Sequence, residues 1–215
     1  MAVMAKQSEF TSRRQRFLRR MGTGVALVPA ARVAMRNSDV AYDYRQSSDF
    51  YYLTGFSEPK SMLLLTTTHP RHRFVLFVRP RDRERELWDG PRAGCEGAVR
   101  MLGADAAYPV GELAERLPEY LADAGRLFYR VGVDRELDDV VLRAVDRLRR
   151  RIREGVSAPR VIVDPGLVLH ELRLRKSAYE VDKIQKAADI TRQAFAGAMR
   201  VARPGMYEYQ VEAEL

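Results

Sequence analysis

The period of the apolar positions changes several times along the chain, and each change marks an element. Phe10, Arg14, Phe17, Leu18 and Met21 keep helical spacing, which predicts an amphipathic helix over Glu9–Met21 with Gly22 at its C′ stop. Val25–Val28 then reads as a short buried strand. The run Phe50-Tyr51-Tyr52-Leu53-Thr54 is aromatic and β-prone, and Gly55 ends it. Met62–Leu65 and Phe74–Val78 are two further strands. Their link, Thr66–Arg73, is polar with Pro70 at its centre, so the pair predicts a hairpin.

Helical pattern then takes over. Ala98, Met101 and Leu102 make one short apolar face; Leu113, Leu117, Tyr120 and Leu121 make another. Leu127–Val133 reads as a strand. Leu137, Val140, Val141, Ala144, Val145, Leu148 and Ile152 fit a long amphipathic helix. Val161–Val163 is a last strand, and Leu167–Leu174 a short helix. Strands interleaved with helices predict an α/β fold with a mixed or largely parallel sheet under helical cover. There is no internal repeat and no low-complexity tract.

The next boundary is the sharpest. In Ser177-Ala178-Tyr179-Glu180 the spacing is that of a capping box, the hydroxyl accepting from the Glu180 amide while the carboxylate reaches back. Behind it Val181, Ile184, Ala188, Thr191, Phe195, Ala198 and Ala202 form one face over about six turns. Pro204-Gly205 stops that helix. A second helix opens near Tyr207 and the sequence reaches Leu215 inside it, so the expectation is a second domain begun and not finished.

Composition narrows the class. With 46% apolar and 31% charged residues, the chain reads as a soluble globular protein. No apolar run approaches the roughly 20 residues needed to span a bilayer. Arg13-Arg14 and Arg19-Arg20 ahead of Gly22–Met35 imitate a twin-arginine leader, but Pro29 and Arg32 break that run and the helical reading is preferred. The single cysteine, Cys95, excludes an intramolecular disulfide framework and suits a reducing, cytoplasmic compartment. With no histidine near it in sequence, it reads as a small residue at a helix start. The net charge of +8 comes from 32 arginines against 5 lysines, which raises nucleic acid as a partner. The arginines alternate with acids, as in Arg81-Asp82-Arg83-Glu84-Arg85-Glu86, so a solvated segment is the better reading. Neither a nucleic acid nor a membrane is expected as a partner.

Chemistry-bearing motifs are sparse. His69-Pro70-Arg71-His72 would need distant residues to complete a metal site and reads as a solvated basic turn. His170-Glu171 opens like a zinc-protease helix, but Leu174 stands where the second histidine must be. The pair then reads as a cap or a partner of Arg173 or Arg175. Dinucleotide, Walker and nucleophile-elbow sequences are absent. Asp39, Arg45 and Trp88 remain as candidate contact residues. Trp88, the sole tryptophan, is either a core anchor or a surface reader of an apolar ligand, and pattern alone favours the core.

Five segments in order carry a family resemblance. They are Asn37-Ser38-Asp39; Tyr44-Arg45-Gln46 with Ser48–Phe56; Glu86-Leu87-Trp88-Asp89-Gly90; His170–Ser177; and Ala187–Glu212, including Pro204-Gly205-Met206-Tyr207-Glu208. Together they resemble the amino-terminal domain of aminopeptidase P (Xaa-Pro aminopeptidase), over essentially the whole chain from about Glu9.

That resemblance implies a creatinase-like amino-terminal domain, residues 1–174, followed by the start of a pita-bread metallopeptidase domain, residues 175–215. It implies a reaction in which two manganese ions activate a water that attacks the bond before a proline at position two of a peptide. The metal ligands of that family would follow residue 215, so none is assigned here, and this stretch alone is expected to be inactive. The resemblance also implies a homo-oligomer, dimer or tetramer, in which one amino-terminal domain borders a neighbour's active site. Trp88, and less strongly Arg153 in Arg153-Glu154-Gly155, thereby become candidates for narrowing the partner's substrate cleft. Asp39 and Arg45 share that candidacy, with a buried Asp–Arg pair as the alternative. Prolidases and creatinase-type amidinohydrolases share the two-domain plan, and a non-catalytic pita-bread binding module is the alternative from another class. Ser48–Phe56 and the Trp88 segment look more like aminopeptidase P than either enzyme relative.

Overall fold

Three apolar runs, Val25–Pro29 (β1), Met62–Thr66 (β2) and Phe74–Val78 (β3), form the middle of a sheet. They show little polar alternation because both of their faces are covered. The computed structural model describes residues 2–215, with side chains from Ser8 onward. Shorter strands Ala106–Pro109 (β4), Arg126–Phe128 (β5) and Val161–Val163 (β6) complete a six-stranded sheet of order β4-β3-β2-β1-β5-β6. β2 lies antiparallel to both β1 and β3, while β3–β4, β1–β5 and β5–β6 are parallel. Among the described strands only β2 runs the other way, so the remaining carboxyl ends share one edge.

Alternate residues of each strand feed two cores. One face sends Ala26, Val28, Leu63, Leu65, Leu76 and Val78 against helices α1 (Ala2–Met21), α2 (Ser48–Thr54), α4 (Gly94–Leu102) and α7 (Gly166–Leu174). The other sends Val25, Leu27, Leu64, Val75 and Phe77 against α5 (Leu113–Leu121) and α6 (Arg135–Arg150). A one-residue slip in register would exchange the two sets, so the pairing is strongly specified. The short helix α3 (Arg83–Asp89) lies outside both cores. The chain divides into two compact units, Met1–Leu172 and Arg173–Leu215. The second unit holds α8 (Ala178–Val201) and α9 (Glu208–Glu212). The Ser177–Glu180 capping box is formed, with the Ser177 N–H donating to Glu180 Oε2 at 2.9 Å. Of the predicted α8 face only Ala198 is buried; Val181, Ile184 and Phe195 are each more than half exposed.

Four expectations need correction. Phe50–Thr54 is helical, not a strand. Ser47 caps its start, Gly55 ends it at φ +67°, and the buried face Phe50, Leu53 and Thr54 outweighs aromatic β-propensity. Gly55 is required twice over, since a Cβ there would also strike the Phe10 ring. The strand predicted over Leu127–Val133 stops at Phe128. Asp138 accepts from the Tyr129 hydroxyl and the Gly132 N–H, turning the chain into the Asp134 cap of α6. Ile152 leaves the helical face and is 72% exposed in a 3-10 turn. The charged run around Arg83 is solvated as read, and it forms a capped helix, with Asp82 accepting from the Arg85 N–H. Finally, the His69–His72 turn is solvated only in part: Pro70 and Arg71 are exposed, but His72 is half-buried and His69 is buried. His69 is 8% exposed, stacks on His72 at 4.6 Å and lies 4.8 Å from the Tyr120 ring. Its Nδ1 accepts the backbone N–H groups of Arg71 and His72, which fixes the hairpin turn.

Arg13 and Arg14 are buried staples between α1 and α2. They donate to the carbonyls of Tyr52 and Leu53 and stack over Tyr52 and Phe74. Burial pulls the Arg14 guanidinium down to about 10, still charged at neutral pH.

Candidate functional site

Open α/β sheets gather their sites at the carboxyl ends of the strands, where loops leave the rigid scaffold. Here that edge emits residues 30–47 after β1, residues 79–93 after β3, residues 129–134 after β5 and the Asp164 turn after β6. Asp39, Arg45 and Trp88 all lie on the first two of these. The loop after β1 is built by polar side chains. Gln46 accepts from Ala31 N–H at 2.8 Å and donates to the carbonyls of Phe56 and Glu58, bolting the loop's root. The Tyr44 hydroxyl donates to Ala31 O. At the tip, Asn37 Oδ1 accepts from the N–H groups of Asp39 and Val40, and Met35 bridges to Ala41. Asp39 and Arg45 are both exposed, and no ion pair joins them among the described residues. The buried-pair alternative therefore fails.

Ion pairs tie the other loops of this edge together. Arg32 donates to Asp134 at 2.8 Å and to Glu136 at 2.8 Å. Arg130 donates to Asp164 at 3.1 Å, and its hydrogen bond holds that carboxyl below the usual carboxylate range. Arg130 also pairs with Asp49 of α2 at 3.8 Å.

Trp88 is 90% exposed and its neighbour Leu87 85%, on a helix that buries no residue. The core reading of Trp88 is overturned: two large apolar side chains are held out in solvent side by side. Arg153 is exposed too, but in the turn Ile152–Glu154 at the opposite end of the sheet, where α6 returns the chain to the start of β6. One copy of the chain thus presents Asp39, Arg45 and Trp88 from one edge, and Arg153 from the other. His170 and Glu171 are exposed on α7, and Cys95 sits half-buried in the first turn of α4, its thiol pushed up by burial. No three His, Cys, Asp or Glu side chains among the described residues gather into a group able to hold a metal ion. No described helix is long and apolar enough to cross a membrane.

Residues 10–129 match the family model described as aminopeptidase P, N-terminal domain. The chain belongs to the aminopeptidase P family. It is similar to the Xaa-Pro aminopeptidase of Escherichia coli (strain K12), with 38% identity over 217 residues, covering 100% of this chain and 49% of that protein. The solved structure of Pseudomonas aeruginosa aminopeptidase PepP superposes with a TM-score of 0.92 at 41% identity, over 97% of this chain and 48% of that one. A zinc-substituted Escherichia coli aminopeptidase P in complex with product matches at TM-score 0.90 and 38% identity, again over 97% of this chain and 48% of that one. The chain therefore spans about half the length of the relatives it matches. The mixed sheet with helical cover is the aminopeptidase P amino-terminal fold.

Sequence reasoning missed Glu58, Gln46, Arg32 and Arg130. Glu58 had no local signal, because its partners Arg79 and Ala93 lie 21 and 35 residues downstream.

Proposed function

We propose that this chain is the amino-terminal part of a manganese-dependent Xaa-Pro aminopeptidase, which releases the residue preceding a proline at position two of a peptide. Residues 1–174 form the creatinase-like domain, and residues 175–215 the opening helices of the pita-bread catalytic domain. The domain works in assembly of a cytoplasmic homo-oligomer and borders the substrate cleft of a neighbouring subunit.

The observation that carries this reading is Trp88, 90% exposed beside Leu87 on a helix without a buried residue. A tryptophan so placed contributes nothing to its own core and supplies a rigid, amphipathic surface for a partner. Arg153 at the far end of the sheet fits an arrangement in which contributions come from more than one copy. Asp39 and Arg45, exposed on a bolted loop, add a carboxylate and a guanidinium on Trp88's side of the sheet, suited to the charged ends of a short peptide.

The residues described here do not fit a manganese pair. His69 and His72 are committed to Glu119, Tyr120 and the hairpin backbone, and no step of the reaction is routed through them. On this reading the ligands lie outside residues 1–215, and this stretch alone is expected to be inactive. Calorimetric titration of manganese into the 215-residue chain, alongside an Xaa-Pro peptide assay, tests that assignment. Neither tight binding nor cleavage is expected from the chain alone, with both present in the longer protein. Micromolar binding with proline-dependent cleavage by these 215 residues would overturn it.

A further inference from the structure

We propose that Glu58, Arg79, Asp89 and Arg92 are positioning residues: a charged clamp that fixes the arm Arg79–Ala93 and so holds Trp88 in one place. The consequence for turnover rests on the cleft reading above; the clamp itself does not.

Helix α3 has no apolar anchor. Seven residues of helix without a buried face would not persist on propensity alone, since helices this short are marginal in water. What holds it is one carboxylate with two tasks. Glu58 Oε2 accepts from Arg79 Nη2 at 3.3 Å, at the root where β3 ends. Glu58 Oε1 accepts from the Ala93 N–H at 2.7 Å, at the root where α4 begins. The two ends of the excursion are thereby pinned to the two oxygens of a single side chain.

A second tie secures the helix itself. Asp89 Oδ2, in its last turn, accepts from Arg92 Nη2 at 3.0 Å and faces Arg79 Nη1 at 3.9 Å. Arg92 is 8% exposed and also donates to Pro80 O at 3.4 Å. Neither Arg79 Nε nor Arg92 Nε finds a protein acceptor, so these buried guanidiniums depend on Glu58 and Asp89 for compensation. At the arm's start Glu86 accepts from Arg81 Nε at 2.7 Å and from the Asp82 N–H at 3.0 Å, and its carboxyl is held down to about 2 by that arginine. Gly94, at φ +63°, lets the stem of Arg81 lie where a Cβ would meet it at 2.8 Å. The arm is therefore aimed by charge and hydrogen bonds, in contrast to the packed helices around it. Trp88 stands one residue from Asp89, at the clamped end.

Trp88 is the only tryptophan of the chain, so its fluorescence anisotropy decay reads the arm directly. In the 215-residue protein the wild-type indole, 90% exposed, should add only its own side-chain motion to the tumbling of the molecule. Asp89→Asn, at a half-exposed position that does not threaten folding, should raise the amplitude of sub-nanosecond motion by about twofold, with the melting temperature little changed. Glu58→Gln should raise it further. Unchanged anisotropy in a folded Asp89→Asn or Glu58→Gln protein would overturn the clamp. So would a lowered melting temperature with no gain in Trp88 motion, the signature of a merely structural role. In the full-length enzyme Asp89→Asn should lower kcat/KM for Xaa-Pro peptides by about 3- to 10-fold, through lost orientation at the cleft. Greater Trp88 motion with unmoved kinetics would support the clamp and sink the cleft reading, so the two fail separately.

Discussion

The two ends of β3 bring aromatic and charged groups together in opposite ways. At its start His69, His72 and Tyr120 stack in the interior, with the His72 Nδ1 2.9 Å from the Tyr120 hydroxyl and that hydroxyl donating to Tyr108. At its end Arg79 is held by Glu58 and leads into an arm whose aromatic side chain faces out. One end uses polar atoms to close a hairpin against the core; the other uses them to present an apolar surface. Burial of a ring and its polar handle serves stability, while a ring exposed on a charged mount is available for the contact proposed for Trp88.

Breaking the shared strand between these ends should have the largest effect. Phe77 is fully buried in the core beneath α5, and Phe77→Ala should cost about 3–5 kcal/mol by denaturant titration. At the histidine end, Tyr120→Phe keeps the ring but leaves His72 Nδ1 without its partner. It should cost about 1–3 kcal/mol, against a near-zero effect for a surface hydroxyl.

The same end should also respond to acid. Burial first, then the nearby His69 and Arg71 charges, lower the His72 pKa below its ordinary 6.5, against weaker opposition from Asp105 and Glu119. A proton therefore binds the unfolded chain more readily than the folded one. Stability from His72 is complete above pH 6.5 and is lost as pH falls from there through the lowered folded value. A melting-temperature profile should drop across that window and flatten in His72→Gln. The smallest effect is expected at the presenting end, where Trp88→Ala should change stability by no more than about 0.5 kcal/mol.

The same contrast explains what was readable from sequence. The strands β1, β2 and β3, the helices α1, α5 and α6, and the Ser177–Glu180 capping box were legible, because each is written in local period or local spacing. Phe50–Thr54 was misread because its helical caps, Ser47 and Gly55, compete with aromatic side chains that favour strands. The histidine pair looked solvated because the residues that bury it, Glu119 and Tyr120, are about fifty positions away. The segment after β3 read as solvated, as it is, but its tie to Glu58 was hidden because Glu58 precedes it by a whole hairpin. Charge patterning along α3 was visible, but which face it held inward was not.

The most direct test of the presenting role is a comparison of Trp88→Ala with wild type in the full-length protein, by Xaa-Pro peptide kinetics and thermal melting together. A fall in kcat/KM of about tenfold or more, with an unchanged melting temperature, is the predicted result. Intact kinetics with a large loss of stability would show instead that Trp88 serves its own fold.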